Sequence, residues 1–371
     1  MKKVLFVATI TKHINAFHIP YLKWFKESGY EVHVASNGNE QIEYCDKHYN
    51  LPFERLPLRK NNLKTYRELK KIINENKYEI IHCHTPVGGV LTRLAAKKSR
   101  KKGTRVIYTA HGFHFYKGAP LLNWLIYYPI EKWMAKYTDT LITINEEDYE
   151  LAKKNFKAKQ IELVQGVGVN ENKFNFEMSK EDKHKLRESL GLKDDDFVII
   201  YVAELSKRKN QGMLIETAKK LINEGEKNVK IILPGKDSMN GFYQKMCKDL
   251  EIEENVKFLG YRKDIPQLLK ISDLYVSTTK QEGLPVNIME AMISGLPIIT
   301  TDCRGQRDLI EDGKNGYLAN DVRKFCKRIK EIMYKRELIN TFSKNNIHNI
   351  EKYTIKKIMK EMEKIYIDVN N

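Results

Sequence analysis

Short apolar runs alternate with amphipathic stretches along most of the chain, and that alternation predicts strands separated by helices. In the first half the runs fall at 4–9, 31–35, 79–84, 104–109, 139–144 and 161–164, with helical spacing of apolar residues between them, as at 63–74 and 90–101. The second half repeats the scheme at 197–202, 229–233, 256–259, 273–277, 297–300 and 316–318. Strands joined through helices pair in parallel and need cover on both faces, so the expected fold is α/β, with two doubly wound, Rossmann-like domains facing a cleft. A polar stretch at about 170–185 separates the halves and is the expected hinge, with ligand held between the carboxyl ends of the two sheets. Two helices with apolar stripes, 336–344 and 355–367, close the chain.

One segment carries most of the chemistry. Glu282-Gly283-Leu284-Pro285-Val286-Asn287-Ile288-Met289-Glu290 follows the strand at 273–279 and opens a helix at Asn287. A helix start offers unpaired N–H groups to a phosphate. Glu290, expected in the first helical turn, can accept hydrogen bonds from two adjacent ribose hydroxyls, and Glu282 on the loop can reach a hexose hydroxyl. The plainer alternative is a loop carboxylate and a second one that stabilises the helix dipole. The run continues to Gly295-Leu296-Pro297, which stops the helix directly before another apolar strand. Glu-x7-Glu in this Gly-x-Pro setting resembles the nucleotide-sugar signature of the retaining GT-B glycosyltransferases, family 4, of the bacterial capsule and exopolysaccharide type.

The resemblance extends to further segments. Val202-Ala203-Glu204-Leu205-Ser206-Lys207-Arg208-Lys209-Asn210-Gln211 is similar to the family motif Gly-Arg-Leu-x-x-x-Lys-Gly, which implies that Lys209 binds the diphosphate. Glu204 stands where many members carry arginine, so either Arg208 or Lys207 substitutes for it or Glu204 pairs with a neighbour. Leu259 to Asp264 resembles the loop that packs on the base, so Tyr261 or Arg262 would lie against a uracil face. Gly235 ends a strand where backbone approaches ligand closely. His111, at a strand's carboxyl end, matches the family histidine near the donor sugar and its phosphate. The loop Thr9 to Pro20 lacks the Gly-Gly pair of many members and resembles the His/Phe-rich version of the capsule transferases, so Lys12, His13 and His18 would meet an acceptor pyrophosphate, with an ordinary surface loop as the alternative. His82 and His84 are expected on opposite faces of their strand, which argues against a shared metal.

Composition narrows the partners. With 371 residues, 42% hydrophobic and 30% charged, the chain is long enough for two domains, expected at 1–170 and 171–352. By analogy with the family, a C-terminal helix at about 353–371 packs back on the first. Five scattered cysteines without a CxxC pair point to a reducing compartment, the cytoplasm. The apolar run after Met1-Lys2-Lys3 is broken by Lys12 and His13, as befits a first strand and not a signal peptide. No stretch reaches the roughly 18 apolar residues of a spanning helix, so any membrane contact is peripheral, on the inner face. Residues 1–170 hold 28 Lys and Arg against 16 Asp and Glu, while the remainder holds 37 against 32, so the net charge of +17 sits mostly in the first half. That half also carries Trp124, Tyr127, Tyr128 and Trp133 beside Lys132 and Lys136, suited either to an anionic bilayer interface or to a buried crossover helix. A nucleic-acid binder is disfavoured because the basic residues are not interleaved with aromatics on a sheet.

The resemblance implies a retaining transferase that moves a hexose or N-acetylhexosamine from a UDP-sugar to a lipid-linked, polyprenyl-diphosphate glycan in cell-surface polysaccharide synthesis. The departing phosphate would take the acceptor's proton, so neither a protein base nor a cofactor or metal is called for. The alternatives are a UDP-sugar 2-epimerase of the same fold and a transferase with a soluble acceptor.

Overall fold

The computed structural model describes residues 1–57 and 59–367. The chain divides into two compact units, one holding Met1–Val167 and the segment from Ile358 onward, the other Gly168–Lys357.

The first unit is built on seven parallel strands: β1 (Lys3–Ile10), β2 (Glu31–Asn37), β3 (Lys47–Asn50), β4 (Ile80–His84), β5 (Arg105–Ala110), β6 (Thr140–Thr143) and β7 (Gln160–Leu163), in the order β3-β2-β1-β4-β5-β6-β7. The apolar runs become the inner strands because both their faces are covered. Leu5, Val7, Ile81 and Val106 pack on one side with Leu69, Ile73 and Ala96. Val4, Phe6, Ile80 and Ile107 pack on the other with Leu22, Phe25, Ile358, Met362 and Tyr366. The helix Ile355–Ile367 thus adds its apolar stripe to this core; the expected extension to 371 lies outside the described residues. Strand β3 was not foreseen, because an edge strand reading Lys-His-Tyr-Asn has no apolar run to betray it. The helix expected at 90–101 instead runs Pro86–Ala95, and a separate short turn follows at Lys97–Arg100.

Six parallel strands form the second unit: β8 (Phe197–Ile200), β9 (Val229–Pro234), β10 (Val256–Gly260), β11 (Leu274–Ser277), β12 (Ile298–Thr300) and β13 (Tyr317–Leu318), ordered β10-β9-β8-β11-β12-β13. The polar stretch taken for a hinge holds a 3-10 turn, Glu171–Lys173, and then the start of the helix Lys180–Ser189, capped by Ser179 Oγ accepting from the Asp182 N–H at 3.0 Å. Strand order reverses between β1 and β4 in the first unit and between β8 and β11 in the second. Neighbouring crossovers diverge at such a reversal and leave a crevice at the carboxyl ends of those strands.

Candidate active site

In the second unit the residues after β8 and β11 converge at that reversal. Lys209 donates to Glu282 Oε1 at 2.5 Å, and Arg208 Nη1 donates to the same oxygen at 3.1 Å and to the Gln281 carbonyl at 2.9 Å. The loop before the helix Gln211–Asn223 is held from beneath: Tyr201 and Thr278 hydroxyls donate to the Lys209 and Asn210 carbonyls at 2.9 and 2.8 Å, and Thr279 to the Arg208 carbonyl at 3.2 Å. Asn210 takes φ +56°, a left-handed conformation that asparagine tolerates and that turns the chain into the helix. Lys209 is therefore carried on a braced loop, while Arg208 is largely exposed. Glu204 turns away and accepts from Ser238 Oγ, and Lys207 is exposed, so of the two proposed replacements for the missing arginine only Arg208 reaches Glu282.

Pro285 leads into the helix Val286–Ile293. Glu290 is its fifth residue and lies in the second turn, not the first, because the helix opens at Val286 directly after the proline. Its carboxylate accepts no hydrogen bond from any described residue, and burial raises its pKa to about 7, with Lys173 pulling weakly the other way. Asn287 Nδ2 donates to the Val202 carbonyl at 2.8 Å and ties this helix start to the end of β8. Gly283 and Leu284 form the turn between the two glutamates; Leu284 is buried.

Two residues escaped the sequence reading. Arg304 is 3% exposed and donates from Nε to the Glu282 carbonyl at 3.0 Å, bracing the loop from the turn after β12. Gly305 has φ +77°, and a Cβ there would lie 2.2 Å from the Gly283 carbonyl oxygen, so only glycine lets the two turns meet. The available signal was the run Asp302-Cys303-Arg304-Gly305-Gln306-Arg307, polar and glycine-containing just after an apolar strand.

The remaining donor-side residues are placed less evenly. Tyr261 is 77% exposed, whereas Arg262 is locked in a fork on Asp264, with Nε to Oδ1 at 2.8 Å. Gly235 closely approaches backbone: a Cβ would lie 1.8 Å from the Ala203 carbonyl oxygen.

In the first unit, His111 follows β5, and its Nε2 lies 3.3 Å from His84 Nδ1 at the end of β4. Burial, then the neighbouring His13 and His82, hold its pKa well below the ordinary histidine range, so the ring is neutral. Lys12 is exposed, 4.0 Å from Glu40, and His13 is half-buried. His18 is 1% exposed, stacked on His84 at 3.8 Å, and so cannot itself meet an acceptor. His82 and His84 do not diverge: their ring centroids are 4.1 Å apart, because residues two apart on a strand share a face. A cavity of about 310 Å³ lies beside His13, with Thr9, Arg55, Thr85, His114 and Tyr127 in its wall.

The aromatic segment forms the helix Leu121–Ala135. Trp124, Tyr127 and Tyr128 pack on the core. Glu131 is buried, paired with the Arg93 guanidinium at 2.8 Å. The opposite face shows Leu121, Leu122, Leu125, Ile126, Ile130 and Trp133 to solvent, Leu121 at 73% and Leu125 at 65%. Among the described residues no helix is long and apolar enough to cross a membrane.

Residues 182–349 match the family described as "Glycosyl transferases group 1", and residues 3–145 match "Glycosyl transferase 4-like". The chain is 44% identical to EpsD of Bacillus subtilis (strain 168), whose name assigns it provisionally to the glycosyltransferases, over 98% of this chain and 96% of that one. It is 31% identical to the UDP-Gal:alpha-D-GlcNAc-diphosphoundecaprenol alpha-1,3-galactosyltransferase of Escherichia coli, over 83% of this chain and 80% of the relative. The crystal structure of Anabaena HepE in complex with UDP-glucose superimposes with a TM-score of 0.80 at 19% identity, covering 99% of this chain and all of the other, which establishes the GT-B fold.

Proposed function

Since the chain belongs to the group 1 glycosyltransferases, with a 4-like first domain, we propose that it transfers a hexose or N-acetylhexosamine, with retention, from a UDP-sugar to a polyprenyl-diphosphate-linked glycan in cell-surface polysaccharide synthesis. The observation that carries the donor half is the meeting of Lys209, Arg208 and Glu282 where strand order reverses. Two cations share one carboxylate there, and a donor diphosphate competes for both. Its arrival frees Glu282 for a sugar hydroxyl, while Glu290 takes the ribose hydroxyls and Tyr261 covers the base. The bond from C1 to the leaving phosphate oxygen breaks and one from C1 to the acceptor oxygen forms on the same face; the acceptor's proton passes to the departing diphosphate. Negative charge grows on that diphosphate, and Lys209, Arg208, the Gly283 and Leu284 backbone and the N-terminus of the helix Val286–Ile293 stabilise it.

The acceptor half rests on the Escherichia coli relative, whose name specifies a diphosphoundecaprenol acceptor, and on the outward apolar face of the helix Leu121–Ala135. That face is flanked by Lys132 and Lys136, and by Lys97, whose ammonium lies 5.0 Å over the Trp133 ring and 3.8 Å over that of Tyr137. Apolar side chains ringed by aromatics and lysines suit an anionic bilayer, where the acceptor resides. No separate protein base or metal takes part in the transfer.

The test is a panel of UDP-, GDP- and ADP-sugars with and without a short polyprenyl-diphosphate glycan. Growth of the glycan by one sugar with the anomeric configuration kept supports the reading. An isomerised UDP-sugar formed without acceptor makes the protein an epimerase instead.

A further inference from the structure

Buried histidines elsewhere in the first unit have both ring nitrogens partnered. His82 bonds the Tyr366 and Thr109 hydroxyls, each at 2.8 Å, and His33 bonds the Tyr78 hydroxyl and Glu31, each at 2.7 Å. The four at the carboxyl ends of β1, β4 and β5 differ. Neither nitrogen of His18 has a partner, nor has Nε2 of His13 or of His84, though all these atoms are sealed from solvent. Such bare polar atoms are rare in folded proteins and ask for an occupant. One nitrogen from each of His13, His18, His84 and His111 lies within 4.8 Å of every other.

We propose that these four imidazoles hold one transition-metal ion, Zn²⁺ being the best match, which pins the helix Thr11–Phe17, and the His18 that ends it, to the ends of β4 and β5. This goes beyond the transferase reading and against the expectation of no metal, part of whose basis fell with the placement of His82 and His84. Zinc bound to four nitrogens at about 2.0–2.1 Å in a tetrahedron sets its ring centroids about 5 Å apart. Five of the six ring separations here run from 4.8 to 6.0 Å, and only the His18–His84 stack, at 3.8 Å, has to open. A void of about 10 Å³ beside His18, His84 and His111 has the size of a single small occupant. The donor set contains no carboxylate or carbonyl oxygen, which excludes Mg²⁺ and Ca²⁺ and suits zinc, copper or nickel. Burial lowers the pKa of His13 to about 4 and those of His18, His84 and His111 well below the usual range, so all four enter as neutral ligands. Thr85, next to His84, is held at φ +64°, an uncommon strain for a β-branched residue, by hydrogen bonds with Thr9 at 2.6 and 3.1 Å. Four protein ligands leave no open position, so the ion is structural and enters no step of transfer.

The test uses the full chain with any affinity tag removed, stripped with chelator and reloaded with Zn²⁺ or Co²⁺. We expect close to one equivalent of zinc after gel filtration, a rise in Tm on reloading, and the intense visible absorption of four-coordinate Co²⁺. Folded His18→Ala and His84→Ala variants should each lose the cobalt spectrum; if they do not fold, the wild-type spectrum decides. No retained metal in the reloaded wild-type chain, six-coordinate cobalt, or an unchanged spectrum in a folded variant would overturn the proposal and leave the site to water.

Discussion

Affinity for a UDP-sugar should depend on pH through Glu290. The carboxylate is half-buried with no hydrogen-bond donor among the described residues, and burial raises its pKa to about 7. Only the ionised form offers two acceptor oxygens to a pair of ribose hydroxyls, so the competent fraction is about 9% at pH 6 and 91% at pH 8. The sign follows directly: a raised acid pKa leaves the site protonated below 7, and binding strengthens as pH climbs through it. The apparent Kd should fall about tenfold from pH 6 to pH 8, equivalent to about 1.4 kcal/mol. UDP-glucose is the suitable probe, since its diphosphate diester does not titrate in this window, as the terminal phosphate of UDP does. Isothermal titration in two buffers of different ionisation enthalpy should count about half a proton released per complex at pH 7. Glu290→Gln should bind more weakly than the wild type at pH 8, with no pH dependence. A wild-type Kd that is constant from pH 6 to 8, or a Gln variant that keeps the slope, would refute the reasoning.

Three further outcomes are expected. Lys209→Ala should lower kcat by about 10² to 10³ while changing UDP-sugar affinity less, because its ammonium faces charge that grows during the reaction; comparable losses in kcat and affinity would count against that role. Gly235→Ala places a methyl group on the Ala203 carbonyl and should cost about 1–3 kcal/mol in urea unfolding, and an unchanged midpoint would show that the two loops separate freely. Leu121→Glu with Leu125→Glu should abolish flotation with vesicles containing anionic phospholipid at low salt and leave the UDP-sugar thermal shift intact, whereas undiminished flotation would move the membrane contact elsewhere.

Local pattern was enough for the inner strands of both sheets and marked the loops after β8 and β11. Strands buried on both faces are mostly apolar, so every inner strand announced itself, and the residues just beyond strands β8 and β11 could be singled out because charged side chains gather there, at strand ends where loops carry function. Lys209, Glu282 and Glu290 were therefore legible as separate candidates. Their relation was not: Lys209 and Glu282 are 73 residues apart and share a hydrogen bond only because β8 and β11 lie side by side. The raised pKa of Glu290 likewise comes from surroundings no linear window contains.

In the first unit, the aromatic and basic residues of the helix Leu121–Ala135 marked the segment, but they could not say which face the sheet would cover. Packing turned Trp124 and Tyr128 inward and left Leu121 and Leu125 outside, where a sequence reading has equal grounds for either arrangement. The histidines divide the same way. Each was visible as a residue near a strand end, yet three segments distant in sequence had to be brought to one edge before four imidazoles became a cluster. Apolar pattern sets local structure because burial acts on every residue of an element at once; chemistry between side chains depends on angles and distances that only the closed sheet supplies.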